Sequence, residues 1–329
     1  MKNNKNVLVY VEQRHGAIEN VSIELLGIGK TLADKLNGDL YACIIGNDIE
    51  NQSNEIGYFG AKKVYVVDNP ILENYINESY TKSLTKVINV TKPEVVLVGA
   101  TALGRDLAPR VSSRLHTGLT ADCTSLDIDL ETNNLLMTRP AFGGNLMATI
   151  VCPDHRPQMS TVRPGVMIKP TRDTSKTFEV IKVDASLTKA DMNVEILETV
   201  KEAKKLIKIE DATVLISAGR GIGSKEKMED IYKLADILTG EVSGSRAVVD
   251  MGWIDKDRQV GQTGKTVRPD LYLACGISGA IQHVSGMEDS NLVISINRNP
   301  QAAIFEVSDV GIVGDVNKII PELIKELQK

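Results

Sequence analysis

The sequence has 329 residues, a length typical of two domains. Charged residues make up 25% and hydrophobic residues 42% of it, an ordinary globular composition that excludes a disordered chain. The net charge is −5 and only 4% of residues are aromatic, so we expect no nucleic-acid surface, which needs basic residues and stacking rings.

The four cysteines, at positions 43, 123, 152 and 275, lie far apart and form no metal-binding or redox pair. Isolated thiols in a chain of this length are typical of reduced core residues. The first apolar run has only five residues before Glu12, too few for a signal peptide. No segment approaches the ~20 apolar residues of a membrane span. We therefore expect a cytoplasmic protein without a metal site.

The first hundred residues alternate between the hydrophobic patterns of buried strands and of amphipathic helices. Compact apolar runs predict strands at residues 7–11, 40–45, 64–67 and 95–98. Helical spacing predicts helices at residues 23–36, 76–90 and 103–115, with Gly38 as the stop signal of the first. This alternation is typical of a doubly wound, nucleotide-binding-like α/β domain with a parallel sheet covered on both faces.

The pattern changes after Leu115. Residues 118–167 are rich in Thr, Gly and Pro with short strand-like pieces such as residues 148–151, so we expect an irregular β extension of the first domain. Residues 187–211 are dense in Lys and Glu, which favours a solvated inter-domain connection. We predict two domains, at residues 1–205 and 206–329.

A second alternating pattern begins at Thr213. It predicts strands at residues 214–217, 247–249, 271–274, 292–296 and 304–307, and an amphipathic helix at residues 228–238. The second domain is therefore also expected to be doubly wound α/β, a fold that binds ligands at the carboxyl ends of its strands.

A glycine-rich turn, residues 219–223, joins the first strand of this domain to its helix. Glycines there let backbone N–H groups approach a phosphate at the helix N-terminus. Ser224 occupies the last position of the dinucleotide fingerprint, which therefore fails in its strict form. Taken alone, the turn is equally compatible with a tight turn and with a nucleotide site.

Two further loops carry small and polar residues. Residues 259–266 end in Gly-Lys-Thr, but Gln259 stands where a P-loop needs glycine, so we reject ATP hydrolysis. Gln262 and Thr263 suit hydrogen bonds to a planar heterocycle, although a polar hairpin is the alternative. Residues 276–283 follow another predicted strand, and Ser278 and His283 supply further donors or acceptors.

Residues 214–321 closely resemble the C-terminal FAD domain of the electron-transfer flavoprotein α subunit. Six ordered motifs carry the resemblance: Gly219-Arg220-Gly221, Ser245-Arg246, residues 259–265, residues 276–283, Ile296-Asn297 and residues 311–315. The first domain resembles the same family more loosely.

The resemblance implies FAD as the cofactor and a set of residues that bind it. Thr263 would donate near flavin N5, Arg246 would lie over the isoalloxazine and His283 would sit near N1 and O2. The full implied set is Arg220, Gly221, Ser245, Arg246, Gln259, Val260, Gly261, Gln262, Thr263, Gly264, Ser278, Gly279, Ala280, Ile281, Gln282, His283, Asn297, Asp315 and Val316. Of these, residues 278–283 would wrap the pyrophosphate, and Asn297 and Asp315 would hold the ADP half.

Residues 116–123 and 138–145 of the first domain look like the versions found in anaerobic bacteria. The resemblance implies a partner β subunit that, in those proteins, carries a second flavin and takes electrons from NADH. Arg139 and Asn145 are candidates for the inter-subunit surface. The alternative is that Arg139, like Arg163, pairs with local carboxylates.

These observations lead us to expect the α subunit of a heterodimeric electron-transfer flavoprotein that delivers electrons to an acyl-CoA dehydrogenase in β-oxidation or anaerobic fermentation. We expect no catalytic nucleophile or general base, since the flavin does the chemistry and activity appears only with the partners. The alternative is an NAD-dependent oxidoreductase that uses the Gly219 loop, with Glu241 as the nearest acidic residue.

Overall fold

The computed structural model describes residues 5–14, 16–141, 146–199 and 208–328. The chain divides into two compact units, residues 1–201 and 202–329. The predicted boundary between residues 205 and 206 lies outside the described residues. Within the described ranges, no helix has the length and apolar character needed to cross a bilayer.

The first unit is built around a seven-stranded sheet in which every pairing is parallel, in the order β12-β5-β4-β1-β6-β11-β7. Two antiparallel sheets accompany it, β10-β9-β8 and β2-β3. The strands are β1 (Val7–Val11), β2 (Gln13–Arg14), β3 (Ala17–Ile18), β4 (Leu40–Gly46), β5 (Lys63–Asp68), β6 (Val95–Gly99), β7 (Leu119–Cys123), β8 (Ser125–Ile128), β9 (Leu135–Ala141), β10 (Leu146–Ile150), β11 (Gln158–Val162) and β12 (Glu179–Lys182).

Helices cover both faces of the seven-stranded sheet, which explains why its central strands are apolar without interruption. They are α1 (Asn20–Leu36), α2 (Gln52–Tyr58), α3 (Asn77–Thr91) and α4 (Ala102–Arg114). All five residues of β1 are buried, and alternate ones belong to two separate core clusters, one on each face. The predicted strands and helices of the first hundred residues are confirmed, while α2 was not predicted.

The predicted irregular extension, residues 118–167, is wrong in part, because two of its segments, β7 and β11, belong to the main sheet. β11 lies between β6 and β7 and is completely buried, and β12 forms one edge. The buried strand β11 contains polar residues, so no apolar run marks it. Gln158 is satisfied inside the protein, where its Oε1 accepts from the Leu135 N–H at 2.7 Å and its Nε2 donates to Glu94 at 3.3 Å.

The second unit is a five-stranded parallel sheet in the order β14-β13-β15-β16-β17. Its strands are β13 (Val214–Ala218), β14 (Glu241–Gly244), β15 (Leu271–Cys275), β16 (Val293–Asn297) and β17 (Val310–Val313). Its helices are α5 (Met228–Ile237), α6 (Arg246–Asp250), α7 (Ile281–Val284) and α8 (Val316–Leu327). The predicted α/β fold class is therefore confirmed for both units.

Two predicted strands of this unit are wrong. Residues 247–249 belong to α6, and residues 304–307 lie in a 3-10 helix, Ala303–Val307. Both segments bury an apolar residue, Val248 or Ile304, which is 0% exposed. A short apolar run reports this burial but does not distinguish a strand from a helical turn. The strands that complete the sheet are β14, which precedes residues 247–249, and β17, which follows residues 304–307.

Candidate functional site

A cavity of about 760 Å³ opens at the carboxyl ends of the strands in the second unit. Loops that leave β13, β14, β15 and β16 all contribute to it. This is the edge at which doubly wound sheets bind their ligands. Its lining residues are Arg220, Gly221, Ser245, Arg246, Ala247, Gln259, Val260, Gly261, Thr263, Gly276, Ile277, Ser278, Ala280, Gln282, His283 and Asn297.

The floor of the cavity depends on the close approach of two glycines that follow β13 and β15. The Gly221 N–H donates to the Gly276 carbonyl at 3.0 Å. A Cβ on Gly221 would lie 2.8 Å from both the Cα and the carbonyl oxygen of Gly276. Because atoms in ordinary contact stand about 3.5–4 Å apart, only glycine permits this approach at position 221.

The loop of residues 259–265 forms a wall whose backbone is fixed at two points, Val260 and Gln262. The Val260 N–H donates to the Gly244 carbonyl at 2.9 Å, and the Gln262 N–H donates to the Gln282 carbonyl at 2.7 Å. The buried Gln259 donates from Nε2 to the Thr263 hydroxyl oxygen at 2.9 Å. Since the hydroxyl oxygen accepts this bond, its proton is available to a ligand in the cavity.

His283 lines the cavity and is buried, with 7% of its surface exposed. Its Nε2 lies 2.9 Å from the Tyr272 hydroxyl, while its Nδ1 is buried and has no hydrogen-bond partner among the described residues. Burial lowers the pKa of His283 to about 4, against a small opposing effect of the Val260 backbone. The imidazole is therefore neutral at pH 7 and can interact with a ligand only as a hydrogen-bond donor or acceptor.

Two exposed arginines, Arg220 and Arg246, supply positive charge at the rim. Arg246 is the first residue of α6 and its side chain is 70% exposed. Its Nε lies 3.3 Å from the Asp250 carboxylate, an exposed pair that leaves the guanidinium able to reach a ligand. The rim thus suits an anionic or electron-rich ligand.

The structure brings together most residues of the predicted FAD set. Thirteen of them line the cavity: Arg220, Gly221, Ser245, Arg246, Gln259, Val260, Gly261, Thr263, Ser278, Ala280, Gln282, His283 and Asn297. The others, Gln262, Gly264, Gly279, Ile281, Asp315 and Val316, do not line it. Asp315 instead caps α8 by accepting from the Asn317 N–H at 3.0 Å and pairs with Arg298 at 2.8 Å.

Sequence reasoning missed three lining residues, Ala247, Gly276 and Ile277. Gly276 and Ile277 belong to a motif that the sequence singled out, but their lack of polar side chains left them outside the predicted set. Ala247 lies in the segment that was predicted as a strand. A prediction of a helix directly after Ser245 would have placed Ala247 at the cavity.

The predicted inter-subunit residues of the first unit are only partly described. Asn145 lies outside the described residues. Arg139 lies on β9, and its Nε is buried without a hydrogen-bond partner among the described residues. Arg163 pairs with Asp122 at 2.7 Å, which confirms the local alternative for that residue.

Family models identify both halves of the chain. The model of the electron transfer flavoprotein domain matches residues 7–188, and that of the electron transfer flavoprotein FAD-binding domain matches residues 208–288. The chain belongs to the electron transfer flavoprotein family. The resemblance on which the sequence analysis relied is therefore confirmed.

Relatives of known name match along the whole chain. The electron transfer flavoprotein subunit alpha of Thermoanaerobacterium thermosaccharolyticum is 56% identical over 100% of this chain and 99% of its own length. That of Clostridium acetobutylicum is 52% identical, over 98% of this chain and 97% of its own length. The acryloyl-CoA reductase electron transfer subunit beta of Anaerotignum propionicum is 45% identical, over 99% and 96%.

FAD is the cofactor of this electron transfer flavoprotein, as predicted. The cavity fits an elongated ligand of this kind in volume, in its two rim cations and in its free Thr263 hydroxyl proton. The unpartnered Nδ1 of the buried His283 also calls for a hydrogen-bond partner that the described residues do not supply.

Proposed function

We propose that this chain is the α subunit of a heterodimeric electron transfer flavoprotein, which holds FAD in the cavity of its second unit and passes electrons to an acyl-CoA dehydrogenase. The observation that carries the proposal is the convergence of thirteen residues of the predicted FAD set on one cavity. FAD supplies the redox chemistry, and the protein supplies binding, orientation and electrostatics.

The residues that line the cavity would divide the work between them. Arg220 and Arg246 would compensate the negative charge of the phosphates and of the reduced ring. The Thr263 hydroxyl, held by Gln259, would donate to the ring, and the neutral His283 would contact its polar edge. Asn297 already uses both ends of its amide: Nδ2 donates to the Ile277 carbonyl at 2.8 Å and Oδ1 accepts from the Asn299 N–H at 2.9 Å. It would therefore shape the ADP end of the cavity more than bind it directly.

The six residues of the predicted set that do not line the cavity have supporting places in this proposal. Gln262 fastens the loop of residues 259–265 to the residue before His283. Asp315 caps the N-terminus of α8 and Val316 is its first residue, so they would act on the ADP half through the position of that helix. We therefore propose direct contact for twelve of the thirteen, a shaping role at the ADP end for Asn297 and a supporting role for the six.

The structure also weighs against the rival NAD-dependent oxidoreductase. That reading needs an acidic residue at the carboxyl end of the strand after the glycine-rich turn, facing the ribose. Glu241 is the first residue of β14, at the opposite end, and its carboxylate pairs with the buried Arg258 at 2.7 Å. It is therefore not available to a ribose in the cavity.

An acyl-CoA-linked partner is supported by the Anaerotignum relative, whose name makes it an electron transfer subunit of acryloyl-CoA reductase. We propose that the first unit packs on a β subunit, with Arg139 on β9 at the contact. Arg139 is partly exposed on β9, which is the structural reason for this choice. A β subunit with a second flavin and NADH-dependent bifurcation is the finer form of the same proposal.

The test is to co-purify the chain with its β subunit and to count flavins per heterodimer by absorption after denaturation. One flavin supports the FAD site of the second unit, and two support the bifurcating form. A heterodimer that is colourless and stays so after incubation with FAD would refute the proposed function. Arg220→Ala is expected to weaken FAD binding, with Lys227→Ala, an exposed lysine that does not line the cavity, as its control.

A further inference from the structure

An ion pair joins the wall of residues 259–265 to a separate element of the second unit. Lys265, the last residue of the wall, pairs through its ammonium group with the Glu210 carboxylate. Glu210 lies in the 3-10 helix Ile209–Asp211, shortly before β13. Neither partner lines the cavity. The pair can therefore affect a ligand there only through the wall or through its electric field.

Buried apolar side chains bring the two elements together beneath this pair. Ile209, next to Glu210, is buried, and so are Val260 and Val267, which precede and follow Lys265 in the sequence. All three apolar side chains belong to one core cluster. Because core side chains are close-packed, the backbones that carry the two charges are held in place independently of the ion pair. The pair is therefore better ordered than one between two mobile surface side chains.

The main chain of Lys265 is bonded to the residue that holds Thr263. The Lys265 N–H donates to the Gln259 carbonyl at 2.7 Å, and the Gly261 N–H donates to the Lys265 carbonyl at 3.0 Å. Gln259 in turn donates from Nε2 to the Thr263 hydroxyl oxygen at 2.9 Å. A shift of Lys265 would therefore move Gln259 and, with it, the hydroxyl that faces the cavity.

We propose that Glu210 and Lys265 are positioning residues, whose ion pair fixes the end of the wall and thereby the Thr263 hydroxyl that donates to the flavin. The inference rests on the proposed function, which assigns that hydroxyl to FAD. Val260 and Gln262 hold the start and the middle of the loop, and the ion pair adds a restraint from outside the loop at its last residue. A donor that is in place before the ligand arrives binds it more tightly than one that must first be ordered.

Two charge-removing substitutions separate positioning from a long-range electrostatic effect. The diphosphate of FAD is anionic, so an effect of the field alone predicts that Lys265→Met weakens FAD binding and that Glu210→Gln strengthens it. Positioning predicts that both variants weaken it, because each one breaks the same pair. The side chains of Lys265 and Glu210 are 39% and 23% exposed, so both variants should fold. The expected loss of affinity is about two- to fivefold, the range of a partly exposed ion pair.

Three further variants test whether the pair itself is responsible. Lys265→Arg keeps the cation and should bind FAD as wild type does. The exchanged pair, Glu210→Lys with Lys265→Glu, should recover the affinity that each single reversal loses. Lys233→Met is the matched control, because Lys233 is an exposed cation on α5 that lies 3.9 Å from the Glu229 carboxylate and does not line the cavity. It should leave FAD affinity unchanged.

A double-mutant cycle with Thr263→Val tests the route of the effect. If the pair acts through the Thr263 hydroxyl, Lys265→Met should lose most of its effect on FAD affinity once that hydroxyl is absent. A general loosening of the second unit would instead lower the affinity by the same factor in both backgrounds. The measurement is fluorescence titration of the apo-heterodimer with FAD, and urea unfolding shows that each variant is folded.

Weaker FAD binding in both Lys265→Met and Glu210→Gln, with recovery in the exchanged pair and little further loss in the Thr263→Val background, supports the proposal. Effects of opposite sign, wild-type affinity in both variants, or an equal loss in the two backgrounds overturns it. Failure of the wild-type heterodimer to bind FAD refutes the proposed function instead, so the two failures are distinguishable. If Lys265→Met does not fold, Glu210→Gln with and without Thr263→Val decides between the same outcomes.

Discussion

Replacement of Gly221 by alanine should damage the cofactor cavity through a backbone collision. The new Cβ would lie 2.8 Å from Gly276, so the loops after β13 and β15 must separate by about 0.7 Å to reach an ordinary contact. That separation stretches the 3.0 Å hydrogen bond between the same residues beyond its useful range. The lost bond is worth about 1 kcal/mol and overpacking adds about 1–3 kcal/mol, for a total of about 2–4 kcal/mol.

The assay is urea unfolding of the apo-heterodimer together with FAD titration. Because Gly221 lines the cavity, displacement of its loop should also weaken FAD binding by at least about tenfold. Gly252→Ala is the matched control, since Gly252 has a φ of +67° and a new Cβ there would have nothing within 4 Å. It should lose about 1–2 kcal/mol through backbone strain alone and bind FAD as wild type does. Equal FAD affinity of Gly221→Ala and Gly252→Ala would refute the reasoning from close approach.

Three further predictions concern side chains of the same unit. Arg246→Ala should lower the FAD midpoint potential. It should change the free energy of unfolding in urea by no more than about 0.5 kcal/mol, because the pair of Arg246 with Asp250 is exposed. A redox titration that overlays that of wild type would refute the placement of Arg246 near the flavin ring. Thr263→Val keeps the shape but removes the hydroxyl that Gln259 orients, so FAD affinity should fall about tenfold by fluorescence titration, and Thr263→Ser should restore it. Since the pKa of His283 is about 4 when folded and about 6.5 when unfolded, the unfolded chain binds more protons in that window, and stability should fall as pH drops from 6.5 to 4. His283 should account for about 3 kcal/mol of this loss. Urea unfolding of the apo-protein across this pH range isolates that share when His283→Gln is compared with wild type. If the free energies of unfolding of the two proteins change with pH in parallel, His283 is not a buried neutral imidazole.

The strands that the sequence predicts correctly are those buried on both faces by apolar residues. β1 was predicted to the residue, and β15 differs only by including Cys275. The buried strand β11 escaped prediction because its polar side chains find partners far away in the chain, as Gln158 does with Leu135 and Glu94. Such compensation depends on tertiary neighbours and leaves no periodic signal.

The candidate site follows the same division. Its loops could be found because small residues recur at strand exits, and the resemblance to a family assigned them to FAD. The hydrogen bonds of Tyr272 to Ser217 and to His283 could not be found in this way, because they join residues 55 and 11 positions apart. The bond to Ser217 also depends on the pairing of β13 with β15. Only strand order, which local sequence does not encode, brings these side chains together.

The wall formed by residues 259–265 is held by main-chain bonds from Val260 and Gln262 to distant loops. Every non-proline residue carries the same peptide donor and acceptor, so the contour of this wall is largely independent of which side chains it displays. Substitutions there can retune the chemistry offered to the bound cofactor while the scaffold keeps its shape. The redox properties of such a protein can therefore diverge between lineages while its fold is conserved.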